Sequence, residues 1–239
     1  MKICFVHLGR EHLGIEYLSS ILKEAGHEVA LAYDPGLFGT EDNVFYIPFL
    51  EKIFSRKEDV LAVIERSAPD LVAFTVYTGT YGWSVDIARI VKERKKVPVV
   101  FGGIHPSLVP ETVIGNESVD FVVVGEGDQA LPALVKALTA EKPNFKKVPN
   151  LWYKQNGTVK HNKIAPLVKD LDSLPLPDKA LFEKEVNYRD DYMIMAGRGC
   201  VFSCSYCCES YINKLYKNKF YRKRSIESIM DELVQMKKR

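Results

Sequence analysis

The sequence predicts an α/β protein built on a Rossmann-like, flavodoxin-like parallel sheet of five strands, and three observations carry that expectation. Short apolar runs alternate with longer amphipathic ones from residue 1 to about 140. The runs are rich in Val, Ile, Leu and Phe, as strands covered on both faces should be. Glycine and small polar residues gather just after the runs, where an open parallel sheet meets its ligand.

The expected strands are Lys2 to Val6, Glu28 to Tyr33, Leu71 to Thr75, Val97 to Phe101 and Phe121 to Val124. Leu18, Ile21, Leu22 and Ala25 recur at helical spacing, and Gly26 stands where a left-handed cap closes a helix. A second helical stretch is expected within Phe49 to Ser67. Val85, Ile87, Ala88 and Val91 mark a third helix, and Leu131, Leu134, Val135 and Leu138 a fourth. Beyond Pro143 the pattern changes. Asn156-Gly157 between Leu151–Lys154 and Thr158–Lys160 signals a β-hairpin, and the prolines of Asp170–Asp178 signal an extended linker. Tyr192–Ala196 reads as a strand entering a cysteine-rich loop, and Ser225 reads as the N-cap of an amphipathic helix through Leu233. The expected division is 1–142, a ligand-binding Rossmann-like domain; 143–190, hairpin and linker; and 191–239, the start of a second domain.

Composition restricts the function classes. Hydrophobic residues make 46% and charged residues 27% of the 239, a globular balance, and a net charge of +2 gives no footing for nucleic acid or an anionic membrane as partner. No apolar run reaches the length of a signal peptide or a membrane span, so the cytoplasm is the expected compartment. Three of the five cysteines are clustered, which is unlike a secreted disulfide framework. Lys214–Arg224, with Lys214, Lys217, Lys219, Arg222, Lys223 and Arg224, reads as a solvated basic stretch.

The strongest chemical signal is Gly197-Arg198-Gly199-Cys200-Val201-Phe202-Ser203-Cys204-Ser205-Tyr206-Cys207. Three thiolates in so short a loop can ligate three irons of a cubic cluster and leave the fourth open to substrate or cofactor. The spacing differs from the Cys-x2-Cys-x2-Cys run of electron-carrying ferredoxins. A structural zinc site is the competing reading; it needs a fourth ligand, for which Cys208, His161 or Cys4 are the available residues.

On the sheet's expected C-terminal edge stand Thr75-Val76-Tyr77-Thr78, Gly102-Gly103-Ile104-His105 and Gly125-Glu126-Gly127-Asp128. Their glycines let backbone approach a large ligand closely. A dinucleotide would want Gly-x-Gly-x-x-Gly after the first strand, where Gly9 and Gly14 are the glycines available. His7, His12 and His105 each read more readily as hydrogen-bonding residues than as ligands, with His105 the best placed to touch a cofactor.

The cysteine segment resembles the cluster loop of the radical S-adenosylmethionine (radical SAM) superfamily, Cys-x3-Cys-x-aromatic-Cys. Cys200, Cys204 and Cys207 match the ligand positions, Tyr206 matches the aromatic one, and Cys208 has no counterpart. The resemblance implies a [4Fe-4S] cluster on the three cysteines, SAM on the open iron, and Tyr206 beside the adenine. Leu13–Leu18, Ala25–Val29, Gly102–Pro106 and Gly125–Asp128 resemble the cobalamin-binding domain that precedes the barrel in one radical SAM subgroup, and the likeness continues through Asp170–Phe182 and Arg222–Ser225. It implies cobalamin near Thr75, Tyr77, Thr78, Gly102, Gly103, His105, Gly125, Glu126 and Gly127. The Asp-x-His-x-x-Gly signature of many cobalamin proteins has no match around Arg10–Gly14, so no histidine ligand to cobalt is expected.

On this resemblance residues 191–239 are the first βα unit of a partial TIM-type barrel, and the chain is the N-terminal portion of a longer enzyme. The implied reaction is methyl transfer to an unactivated carbon or phosphorus centre of a small-molecule substrate, with flavodoxin or ferredoxin as electron donor. Cyclisation or another rearrangement is an alternative within the resemblance. A non-catalytic corrinoid-binding or metal-stabilised sensor or carrier is an alternative outside it.

Overall fold

A computed structural model describes residues 1–39, 46–188, 191–217 and 220–238. The first two-thirds of the chain runs β1 (Lys2–Leu8), α1 (Leu13–Glu24), β2 (Glu28–Asp34), α2 (Pro48–Phe54), α3 (Lys57–Ser67), β3 (Leu71–Thr75), α4 (Tyr81–Arg94), β4 (Val99–Gly102), α5 (Ile104–Leu108), α6 (Pro110–Gly115), β5 (Phe121–Val123) and α7 (Ala130–Leu138). The hairpin β6 (Leu151–Gln155) and β7 (Thr158–His161) follows; then come β8 (Gly197–Cys200), α8 (Cys208–Leu215), β9 (Phe220–Lys223) and α9 (Ile226–Lys237).

The main sheet has the order β2-β1-β3-β4-β5-β6-β7. Its first five strands are parallel in the flavodoxin-like order, with the switch point between β1 and β3. Alternation along the strands divides the core in two. Cys4, Val6, Val72, Phe74, Phe101 and Val122 face α3, α4 and α6. Ile3, Phe5, Leu71, Ala73, Val100 and Val123 face α1 and α7. Both faces are covered, which is why these strands are apolar throughout. Gly26 adopts φ +81° just after α1, the left-handed turn its position predicts.

Several boundaries differ from the sequence reading. The stretch Phe49–Ser67 is two helices, because Ser55 is extended and the Arg56 amide donates to Asp34 Oδ2 at 3.1 Å. Two short helices, α5 and α6, follow β4 in a stretch to which the sequence reading assigned no helix. The hairpin turns at Asn156-Gly157 with both residues at positive φ, and β6 pairs antiparallel with β5, so the hairpin widens the main sheet. Tyr192–Ala196 is not a strand. Two of its carbonyls are taken by side chains, Met193 O by Lys179 Nζ at 2.9 Å and Met195 O by Arg224 Nη1 at 3.3 Å, and Ala196 O accepts from the Arg224 amide at 3.0 Å. The strand begins at Gly197 and pairs antiparallel with β9. The helix directly after the cysteine loop is α8, and the helix capped by Ser225 is α9, with Ser225 Oγ accepting from the Ser228 amide at 3.1 Å. Arg224 is buried and ion-paired with Glu232, and Arg222 is ion-paired with Glu126, so neither belongs to a solvated stretch; Lys219 lies outside the described residues. No helix among the described residues is long and apolar enough to cross a membrane.

The proline-rich linker is docked rather than free. Ser20 Oγ donates to Leu176 O at 2.6 Å, Ser19 Oγ donates to Asp178 Oδ2 at 2.6 Å, and Phe182 is fully buried. Lys179, itself buried, places Nζ 2.6 Å from Glu11 Oε1 and 2.9 Å from Glu16 Oε2. Two carboxylates thus share one ammonium. Burial, with Glu11 alongside, pushes the Glu16 carboxyl well above its ordinary range, against the pull of Lys179.

A carboxyl raised in the folded state lends stability below its unfolded pKa and loses it as pH climbs through the raised value. Glu16→Gln, which cannot ionise, should therefore gain stability relative to the parent as pH rises from about 4.5 towards about 8. Urea unfolding of both proteins across that range checks this, and a constant difference would refute it.

Candidate functional site

The loops after β3 and β4 are locked together by backbone. Val76 N donates to Gly102 O at 2.8 Å, and His105 N donates to Val76 O at 3.1 Å. Gly103 makes this approach possible: its φ is +102°, and a Cβ there would lie 2.8 Å from Val76 N and 2.9 Å from Val76 O. Thr78 Oγ1 and His105 Nδ1 are hydrogen-bonded at 3.1 Å, and the His105 ring packs on Tyr81. After β5, Gly125 has φ +78° and donates its N–H to Ser107 Oγ at 2.9 Å. A side chain at Gly125 would strike the Tyr216 hydroxyl, which accepts from Glu126 N at 2.8 Å.

These loops wall a cavity of about 280 Å³ floored by Phe5, Ala73, Val100 and Val123 of the sheet. Of the expected cofactor contacts, Thr75, Gly102, Gly103, Gly125, Glu126 and Gly127 come together on it, joined by His12, Asp128, Met195 and Arg198. Tyr77, Thr78 and His105 stand beside this wall rather than on it. A second cavity, about 400 Å³, lies between Gly103, Gly125 and Glu126 on one side and Gly197–Gly199, Glu209 and Tyr216 on the other.

The histidines at the start of the edge are committed to the protein. His7 is buried, with Nε2 2.6 Å from Arg10 O, and burial lowers its pKa to about 4. His12 caps α1, its Nδ1 accepting from Ile15 N at 3.2 Å. Burial and then the neighbouring His7 lower its pKa to about 3. The His12 ring is therefore neutral at pH 7 with its proton on Nε2.

The cysteine loop joins β8 to α8. Its backbone is pinned from below: Asn213 Nδ2 donates to Cys200 O at 3.0 Å and to Phe202 O at 3.2 Å, and Ser210 Oγ donates to Cys204 O at 2.7 Å. Cys200, Cys204 and Cys207 are half-buried, and Tyr206 is 91% exposed, open to a flat ligand. Among the described residues no three His, Cys, Asp or Glu side chains converge closely enough to hold one metal ion. The three thiols thus share a fixed loop without yet meeting. Two of the three residues that could complete a zinc set are engaged elsewhere, and Cys208 adjoins Cys207. Cys4 is in the sheet core with its thiol pushed up to about 11 by burial, and His161 stacks on Trp152 at the far edge strand. The Cys208 thiol is raised by burial and by Cys207 beside it.

The sequence reading missed what holds this loop to the sheet. Arg198 donates to both oxygens of Asp128, at 2.8 and 3.1 Å, and lies over the Tyr17 ring at 5.3 Å. Arg222, opposite Arg198 in the β8–β9 ladder, pairs with Glu126 and donates to Val168 O at 2.6 Å. The available signal was the alternation of Arg222 and Arg224 with Tyr221 and Lys223, which puts the two arginines on one face of a strand.

Residues 10–135 match the model of the B12 binding domain. The chain belongs to that family. Among curated relatives of this B12-binding chain is an uncharacterized methyltransferase of Pyrococcus horikoshii, 31% identical over 227 residues, covering 92% of this chain and 44% of the relative. Another is the anaerobic magnesium-protoporphyrin IX monomethyl ester cyclase of Cereibacter sphaeroides, 27% identical and covering 98% of this chain and 38% of the relative. The chain thus spans less than half of either. Among solved structures, the cobalamin-dependent S-adenosylmethionine radical enzyme OxsB, with aqua-cobalamin and S-adenosylmethionine bound, shares the fold at a TM-score of 0.76 and 21% identity, covering 98% of this chain and 31% of that one.

The close approach at Gly103 has a measurable consequence. Gly103→Ala should lower stability by about 1–3 kcal/mol through backbone strain alone, and more if Val76 must move. Gly82→Ala, in α4 with open space around it, should raise stability by up to about 1 kcal/mol. Denaturant unfolding of the two variants measures the contrast, and equal effects would refute the reading of Gly103.

Proposed function

We propose that this chain is the N-terminal part of a cobalamin-dependent radical SAM enzyme, most simply a methyltransferase acting on an unactivated carbon or phosphorus centre of a small molecule. The observation that carries the reading is the juxtaposition of two elements. A three-thiol loop is anchored through Arg198 and Arg222 to the glycine-rich edge of a B12-binding sheet. The division adopted is 1–142 for cobalamin, 143–190 for hairpin and linker, and 191–239 for the start of the cluster domain.

The residues fit the groups the family implies. Cys200, Cys204 and Cys207 are a donor set of three thiols, suited to three irons and leaving one open. The carbonyls of Cys200, Phe202 and Cys204 are held by Asn213 and Ser210, which sets the path of the loop that carries them. Tyr206 is exposed to receive the adenine of SAM. Thr75, Gly102, Gly103, Gly125, Glu126 and Gly127 present backbone and small side chains to a cofactor too large for a side-chain-filled edge, with Tyr77, Thr78 and His105 at the rim. Bound there, the cluster with SAM supplies a radical and cobalamin supplies a methyl carrier. His12 Nε2–H and the Arg198 guanidinium are the donors this chain adds to the cavity wall. A flavodoxin or ferredoxin in the cytoplasm is the proposed electron source. Ring formation on a similar scaffold is the second reading, favoured by the likeness to the cyclase.

Electron paramagnetic resonance of the anaerobically reconstituted, dithionite-reduced full-length protein tests the proposal. The expected result is a four-iron signal that changes on adding SAM, with cobalamin retained through gel filtration. Cys200→Ala should lose most of the iron and all of the SAM response while still retaining cobalamin. Unchanged iron content in that variant would overturn the ligand assignment, and a signal blind to SAM would favour a metal-stabilised carrier.

A further inference from the structure

Resting on that reading, we propose that the Gly125–Asp128 loop and the arginine pair Arg198 and Arg222 form a joint that sets the distance and angle of the cysteine loop over the cobalamin edge, with Arg198 as the positioning residue. The strands β8 and β9 form a sheet of their own, separate from the main one. Two strands alone are marginally stable, so their orientation must come from what they dock on. The charged part of that docking falls on two residues of one loop. Asp128 accepts both forks of Arg198, Glu126 accepts Arg222, and the Glu126 amide donates to the hydroxyl of Tyr216, which caps α8.

The geometry is restrictive. Arg198 and Arg222 are directly opposite in the ladder, so their two carboxylate partners hold the ribbon at both strands. Both ion pairs are largely buried, with side-chain exposures of 16% and 7% for Arg198 and Asp128 and 9% and 23% for Arg222 and Glu126. A bidentate guanidinium–carboxylate pair fixes a plane as well as a distance, which a lysine ammonium cannot do. Cys200 follows two residues along the same strand, about 7 Å away at strand rise. The other end of the joint is the cofactor wall: Gly125, Glu126, Gly127 and Asp128 all line the 280 Å³ cavity. One loop therefore lines the proposed cobalamin site on one side and, through Arg198, holds the strand that bears Cys200 on the other.

The test uses the full-length protein loaded with cluster and cob(II)alamin and reduced, so that both centres are paramagnetic. Their spin–spin interaction depends steeply on separation and orientation, and it arises only in molecules holding both groups, so partial occupancy does not blur it. The parent should show a resolved interaction. Asp128→Asn and Arg198→Lys should collapse it to a broadened, unresolved line, whereas Glu93→Gln, which breaks the remote surface pair with Arg89, should leave it as in the parent. An unchanged splitting in Asp128→Asn and Arg198→Lys would overturn the joint, as would a parent that holds both groups without interaction. A parent that fails to take up cluster or cobalamin would instead sink the functional reading. The joint is then judged by hydrogen exchange of residues 197–200 and 221–223 in the cofactor-free protein, where each variant should exchange at least about tenfold faster, and equal rates would overturn it.

Discussion

A charge removed from water must meet its counter-charge, and that requirement fixes how the last third of this chain sits on the first two. Lys179, Arg198, Arg222 and Arg224 are all largely buried, and each has a carboxylate partner: Glu11 and Glu16, Asp128, Glu126 and Glu232. Leaving any of these partners alone would cost several kcal/mol, while the intact pairs contribute little net stability. Their effect is on register. An apolar patch tolerates sliding, but a bidentate Arg198–Asp128 pair admits one arrangement of the two segments. The linker follows the same logic, since Lys179 has its two acidic partners on and just before α1.

The sheet supplies the rigid side of that arrangement. Its first five strands are parallel, so every loop after a strand emerges on one edge, and the order β2-β1-β3-β4-β5 opens a crevice there. Close backbone packing at Val76, Gly102 and Gly103 removes the freedom these loops would otherwise have. The cost is that Gly103 can carry no side chain. The gain is that main-chain groups and small residues form this part of the cavity wall.

What could be read from the sequence was what local chemistry decides. Strand positions followed from apolar runs, the turn at Gly26 from glycine's access to positive φ, the hairpin from Asn156-Gly157, and the α9 cap from Ser225. What could not be read depended on distant partners. The break at Ser55 is fixed by Asp34, twenty-two residues from the Arg56 amide it accepts. Tyr192–Ala196 has strand-forming residues, yet side chains of Lys179 and Arg224 occupy two of its carbonyls, and pairing passes to Gly197–Cys200, whose two glycines give no β signal. Arg222 and Arg224 looked solvated because composition records a charge and not its counter-charge. Asp128 as the anchor of the strand that leads into the cysteines could not be read either, since seventy residues separate it from Arg198.

The cysteine loop combines a fixed backbone with unfixed ligands, and the two follow from different forces. Asn213 and Ser210 satisfy the carbonyls of Cys200, Phe202 and Cys204, so the loop's path is set by neutral hydrogen bonds that need no metal. Among the described residues the three thiols share that path without converging on one point. The position of that loop over the glycine-rich edge rests in turn on the strand that carries it, and Arg198, two residues before Cys200, ties that strand to Asp128. Charge pairing therefore sets where the loop stands, while neutral hydrogen bonds set the path it follows.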